Sequence, residues 1–201
     1  MGQITIQKDV DGFKGLCVIE PKFHGDSRGY FIETYSARDM AEAGIDTVFV
    51  QDNQSMGTKG VLRGLHFQKL HPQTKLVRAI KGTVFDVVVD LRKGSATFGK
   101  WHGEVLSEEN RKQFLVPKGF AHGYMVLTDM AEFCYKCDDF YYPEDEGGIQ
   151  WNDPDIGIIW PGLSGEYPGN GSSDGYTVEG VPLKLVERDQ KWAALKDSFL
   201  F

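Results

Sequence analysis

The chain has 201 residues, 29 acidic against 22 basic, for a formal charge of −7 and a pI near 5.2. That balance excludes a broad nucleic-acid or anionic-membrane surface, since both need net positive charge facing phosphates, but it leaves room for a small anionic ligand held by a few placed arginines. No apolar run approaches the ~20 residues of a membrane span, the N-terminus lacks a basic-then-apolar leader, and three cysteines are too few for a disulfide framework. A soluble cytoplasmic protein is expected.

In chain order, short runs rich in Val, Ile, Phe and Tyr predict strands at Leu16–Glu20, Tyr30–Tyr35, Val48–Gln51, Lys75–Ile80, Thr83–Leu91, Lys100–Leu106, Gln113–Val116, Gly123–Leu127 and Glu132–Lys136. Gly, Pro, Asn, Asp or Ser separate most of them, without regular intervening helices. That pattern predicts an antiparallel sandwich or barrel. Two helices are expected: one capped by Ser36, running through Ala41 and stopped at Gly44, and one over Asp189–Lys196. Residues 139–182 shift toward Gly, Pro, Ser and Asp, and Gly165–Gly180 reads as an exposed insertion. The whole chain, 1–201, is expected to form one domain, with a barrel core over about 16–138 and a loop-rich remainder.

The chemistry gathers in two clusters. Gly60-Val-Leu-Arg63-Gly-Leu-His66-Phe-Gln68 is soon followed by Lys75, and the second cluster is Pro117-Lys-Gly-Phe-Ala-His122-Gly. Between them Gly82 opens the most regular strand. This is the outline of the two cupin half-motifs, which predicts a mainly β, cupin-type jelly-roll barrel with few short helices and a ligand cavity. Where metal-binding cupins place a second histidine this chain has Gln68, and no glutamate follows before Gly82. His66 and His122 alone would under-coordinate a transition metal, so a metal-free site is expected.

Read individually, most candidates have an ordinary structural explanation beside the functional one. His24, His71 and His102 lack a comparable frame and are expected at the surface. Trp151, Trp160 and Trp192 are expected to pack. Tyr135 shares strand parity with Phe133 and Cys137, so it could be a plain core aromatic. Asp86 and Asp90 share a face with Val84 and Val88: either they line a polar cavity or that strand end is solvated. Cys134 and Cys137, three apart in a strand, face opposite ways and so do not make a redox or zinc pair. Strict alternation also separates Arg63 from His66, so both reach one cavity only if the strand bulges, most naturally at Gly64.

The motifs Asp26-Ser-Arg28-Gly-Tyr-Phe-Ile-Glu33, Gln51-Asp-Asn53-Gln-Ser55, Val61–Gln68, Val84–Arg92, Ser107–Asn110, Pro117–Gly123, Tyr135-Lys136 and Trp151–Pro154 occur in one family's order. The chain thereby resembles the dTDP-4-dehydrorhamnose 3,5-epimerases, cupin-fold enzymes of deoxysugar-nucleotide synthesis. The resemblance implies a base, His66, backed by Asp189 (with Asp197 as the fallback carboxylate), Lys75 beside the ketone oxygen, and Tyr135 as the acid. It implies substrate contacts from Arg28, Glu33, Gln51, Asn53, Arg63, His122, Tyr141, Glu146 and Arg188, with Tyr141 stacking on thymine. It further implies a cofactor-free reaction and a homodimer with swapped N-terminal strands. A single-carbon epimerase or a non-catalytic nucleotide-sugar-binding cupin would share most of this pattern. Only the first of these uses His66, Lys75 and Tyr135 together.

Overall fold

A computed structural model describes residues 3–165 and 169–201. Two antiparallel sheets dominate. The first holds β1 (Ile4–Lys8), β2 (Cys17–Pro21), β5 (Gln51–Thr58), β7 (Lys75–Lys81), β10 (Gln113–Val116) and β12 (Met130–Cys137), in the order β1-β2-β10-β7-β12-β5. The second holds β6 (Leu62–Gln68), β8 (Thr83–Asp90), β9 (Trp101–Ser107), β11 (Phe120–Val126) and β13 (Glu146–Gly148), in the order β13-β6-β11-β8-β9. Successive strands repeatedly cross from one sheet to the other, as a jelly roll requires, and β1 and β13 extend the sheets beyond the expected 16–138 core. An exposed hairpin, β3 (Phe23–Asp26) with β4 (Gly29–Ile32), stands apart.

Side-chain parity explains the packing. Along β8, Val84 and Val88 point between the sheets with Val77, Ala79, Phe114 and Phe133, while Phe85, Val87 and Val89 point outward against Leu65, Trp151, Trp160 and Tyr176. Each sheet is therefore apolar on both faces. On the far side of the first sheet, α1 (Ala37–Glu42) lays Met40 on Ile19, Leu76 and Leu115. The Ser36 side chain caps that helix by accepting from the Asp39 N–H (3.3 Å), and Gly44 follows at φ +71°.

The structure corrects several sequence expectations. Val48–Val50 is not strand; the strand begins at Gln51 and runs through the polar stretch to Thr58, because its partner β12 covers it residue by residue. The C-terminal helix is replaced by two short 3₁₀ turns, Asp189–Lys191 and Leu195–Asp197. Between them Ala193 bridges to Ile149 and accepts from the Gln150 N–H (3.0 Å), which forces extended backbone. The expected insertion is not simply exposed. Its residues 166–168 lie outside the described residues, but Tyr176 and Val178 are buried in the outer core, and Gly171 O accepts from the Trp151 indole (2.9 Å). His102 is not a surface residue: it lies between Asp11 (2.8 Å) and Glu104 (3.8 Å) with little exposure. No helix among the described residues is long and apolar enough to cross a membrane.

Candidate active site

Between the sheets lies a cavity of about 630 Å³. Its two long walls carry different chemistry. Gln51, Asn53, Lys75 and Tyr135 come from the first sheet, whereas Arg63, His66, His122 and Glu146 come from the second. The loop from Lys184 to Asp189 closes one side.

Arg63 and His66 share this cavity because β6 bulges. Opposite β11, His122 pairs with His66 but Tyr124 pairs with Arg63, so three steps along β6 match two along β11. Gly64 sits at the irregularity with φ +130°, where a Cβ would fall 2.6 Å from Gly123 Cα. Only paired glycines let the strands approach this closely.

His66 Nε2 lies 2.8 Å from Asp189 Oδ1. The carboxylate is almost wholly buried, and Arg188 Nε also donates to Oδ1 (3.4 Å) while the Gly64 N–H donates to Oδ2 (3.2 Å). Burial alone would raise the Asp189 pKa, but the donors His66 and Gly64 and the Arg188 charge outweigh it and hold the group below its ordinary value. A carboxylate that only accepts obliges His66 to donate from Nε2, leaving Nδ1 with a lone pair. Nδ1 is 4.0 Å from Glu146 Oε1. Glu146 is itself engaged by Arg188 and by the Tyr141 hydroxyl (3.0 Å).

Lys75 meets Cys137, Asp86 and Glu146 electrostatically, and burial pushes its pKa down. An ammonium so poorly solvated gains most from an anion placed beside it. Burial likewise pushes Tyr135 up to about 12, so its hydroxyl keeps its proton at neutral pH. Asp86 and Asp90 are both fully buried, so that strand end is not solvated, and neither side chain lines the cavity itself. Asp90 is fastened by Arg92, Ser95 and Thr97, while Asp86 Oδ1 lies 2.8 Å from His122 Nε2.

The structure thus brings together His66, Lys75, Tyr135, Asp189, Gln51, Asn53, Arg63, His122, Tyr141, Glu146 and Arg188. It leaves out two expected contacts. Arg28 forks onto Asp26 on the β3–β4 hairpin with its side chain 88% exposed, and Glu33 lies half-buried outside the cavity lining. The fallback, Asp197, sits in the second 3₁₀ turn and does not line the cavity. Gln68 is a loop fastener rather than a ligand: its amide donates to His71 O (2.7 Å) and Phe140 O (3.0 Å), and its oxygen accepts from the Tyr142 N–H (2.6 Å). Among the described residues no three His, Cys, Asp or Glu side chains are grouped to hold a metal ion.

Trp192 packs as expected, but against His66, and sequence reading did not single out Tyr124 or Cys137 as cavity residues. Trp192 packs edge-on to His66 with ring centroids 6.1 Å apart. Tyr124 lines the cavity with its hydroxyl 2.8 Å from Ser55 Oγ. Cys137 is a free thiol in the wall, accepting from the Asn53 amide (3.7 Å). Strand parity with Tyr135 carries a signal for Cys137, but nothing local carries one for Trp192.

A small cupin-type β-barrel whose two walls present a histidine–carboxylate pair, a desolvated lysine and a protonated tyrosine holds the groups that proton transfer at a carbon acid requires. The family profile for dTDP-4-dehydrorhamnose 3,5-epimerase matches residues 11–197, and the chain belongs to that family. It is 55% identical over 185 residues to the dTDP-4-dehydrorhamnose 3,5-epimerase of Methanothermobacter thermautotrophicus, covering 92% of this chain and 91% of that one. It is 56% identical over 187 residues to the Pseudomonas aeruginosa enzyme of the same name, covering 92% and 94%. Its fold superposes with TM-score 0.83 on a dTDP-6-deoxy-D-glucose-3,5-epimerase from Legionella pneumophila crystallised with dTDP-4-keto-L-rhamnose, at 45% identity over 96% and 94% of the chains.

Proposed function

We propose that the chain epimerises carbons 3 and 5 of dTDP-4-dehydro-6-deoxy-D-glucose, giving dTDP-4-dehydro-L-rhamnose on the route to dTDP-L-rhamnose, with His66 as base and Tyr135 as acid. The observation carrying this reading is that base and acid stand on opposite sheets across one cavity. Inversion at carbon demands removal from one face and return to the other. In a gluco-configured chair the hydrogens on carbons 3 and 5 are axial on the same face, so one base and one facing acid serve both centres. His66 Nδ1 takes the proton, and Asp189 stabilises the imidazolium. Lys75 meets the enolate oxygen, and Tyr135 delivers a proton from the far side.

Nucleotide binding follows from the mouth. Arg63 and Arg188 supply guanidinium forks for the diphosphate, Gln51 and Asn53 supply directional polar contacts, and Tyr141 offers a half-exposed ring for thymine. Arg28 and Glu33 reach a site only if the β3–β4 hairpin serves a second copy. Its exposed Phe23, Tyr30 and Phe31 supply the apolar surface such a homodimer would bury. The enzyme acts in the cytoplasm, consistent with three free thiols. Incubation with the keto-sugar nucleotide in heavy water, followed by NMR, is expected to show deuterium at both carbons and the L-configured product. Absence of exchange at both carbons would refute the assignment. Sedimentation is expected to show a dimer, and Arg28→Ala to raise KM without unfolding the chain.

A further inference from the structure

Two histidines of the cavity wall are each paired with a buried aspartate in the same way. His66 and His122 are direct partners across β6 and β11, and each has Nε2 at 2.8 Å from a buried aspartate oxygen. The carboxylates differ. Asp189 has both oxygens served by donors, from His66, Arg188 and Gly64. Asp86 has only His122, and its Oδ2 is buried with no hydrogen-bond partner. Its side chain is fully inaccessible.

We propose that Asp86 is a positioning residue that keeps a proton on Nδ1 of His122, so that His122 donates a hydrogen bond to the enolate oxygen alongside Lys75, while the matching pair at His66 is held in the opposite sense as the base. This rests on the epimerase reading. A buried carboxylate with one donor is poorly stabilised as an anion. One additional proton makes the Asp86–His122 pair neutral overall. That proton lies either on Asp86, whose hydroxyl then donates to Nε2, or on the ring, as a carboxylate–imidazolium pair. Both arrangements leave a hydrogen on Nδ1, the nitrogen without a protein partner among the described residues, in a ring that lines the cavity. Burial raises the proton affinity of Asp86, His122 and Lys75 lower it, and Glu104 raises it further. Two like pairs in unlike surroundings thereby take the donor and acceptor roles.

The asymmetry can be tested by substitution. In Asp86→Asn the new amide can still donate to Nε2 and keep the hydrogen on Nδ1, whereas Asp86→Ala leaves Nε2 without that donor, so kcat is expected to be at least tenfold lower in Asp86→Ala than in Asp86→Asn, and equal kcat in these two would overturn the proposal. In Asp189→Asn the anion is lost and kcat is expected to fall at least a hundredfold. A loss as large in Asp86→Asn as in Asp189→Asn would overturn it too. Should Asp86→Asn fail to fold, the wild-type protein decides. With ¹⁵N-labelled histidine and no substrate, long-range ¹H–¹⁵N correlation near pH 8 is expected to show His122 protonated at Nδ1 and His66 protonated only at Nε2. A bare Nδ1 on His122 refutes the inference whether or not the chain epimerises its substrate, and epimerisation with a bare His122 Nδ1 would leave the assigned function standing.

Discussion

Asp189→Asn isolates what a charge contributes, because the amide matches the carboxylate in shape. Asp189 is 1% exposed and its contact with His66 is short, so water can substitute for neither partner. A hydrogen bond to a charged group is worth about 1.5–3 kcal/mol, which lowers turnover roughly 10- to 150-fold at about 1.36 kcal/mol per decade. A second loss adds to this. The Asn amide can turn its NH₂ toward His66, placing the ring proton on Nδ1 and abolishing the lone pair that acts as base; in serine-protease triads the same change costs about 10⁴ in kcat. The expected fall in kcat is therefore 10²- to 10⁴-fold. The dissociation constant for dTDP should move far less than kcat, since the change reaches the proposed nucleotide contacts only through the Arg188 guanidinium. Deuterium wash-in by NMR measures the first quantity and calorimetry with dTDP the second. The variant should also respond to pH in a defined way. The folded-state pKa of Asp189 is depressed, so its stabilising contribution is present above the unfolded value of about 3.9 and lost as pH falls below it. Wild type and variant should converge in stability as pH falls from the unfolded value through the lower folded-state pKa. An unchanged kcat would show that Asp189 does not support the base.

Tyr135→Phe is expected to retain solvent exchange, because His66 still removes the proton, while inversion is lost; stereochemical analysis of the deuterated sugar checks this, and continued inversion would remove Tyr135 as the acid. Lys75→Met should lower kcat by about 10²–10³ as an oxyanion partner is lost. Its Tm should hold or rise, because a desolvated ammonium leaves the interior, and a large fall in Tm would make Lys75 structural. Asp90, pulled to about 2 by Arg92, Ser95 and Thr97 against the opposing effect of burial, should stabilise the fold above about pH 4 and lose that effect toward pH 2. Asp90→Asn is accordingly expected to cost on the order of 2 kcal/mol at pH 7, read by urea denaturation, with no change in KM. Gly64→Ala should abolish activity or folding, since its Cβ would overlap Gly123 Cα; a soluble, active variant would show that the bulge can form without glycine.

The strands were legible where burial alternates or runs continuously, as in β8 and β10. They were illegible where pairing rather than composition makes the strand. Gln51-Asp-Asn-Gln-Ser55 is as polar as a loop and becomes β5 because β12 supplies its hydrogen bonds across eight residues. The converse failure lies at Asp189–Lys196, whose composition suits a helix. Tertiary contacts prevail there: Asp189 is drawn to His66 and Ala193 to Ile149, and no helix satisfies both. In Gly165–Gly180, glycine content masked Tyr176 and Val178, because two well-placed side chains bury a segment without any periodicity.

The site divides along the same line. Parity along β12 places Phe133, Tyr135 and Cys137 on one face, and the Gly64 bulge reconciles Arg63 with His66; both are arguments from neighbouring residues. The pairing of His66 with a carboxylate 123 positions later is not. It depends on the Lys184 carbonyl accepting from the Leu62 N–H and the Lys184 N–H donating to Gly60 O, a short parallel bridge that lays the final segment along the start of β6. That bridge places the last wall of the cavity and its buried anion in one step. The bulge sets where the imidazole points, and the returning segment sets which of its nitrogens is free. Substitutions that weaken the bridge should therefore resemble Asp189→Asn in kcat while leaving both sheets intact.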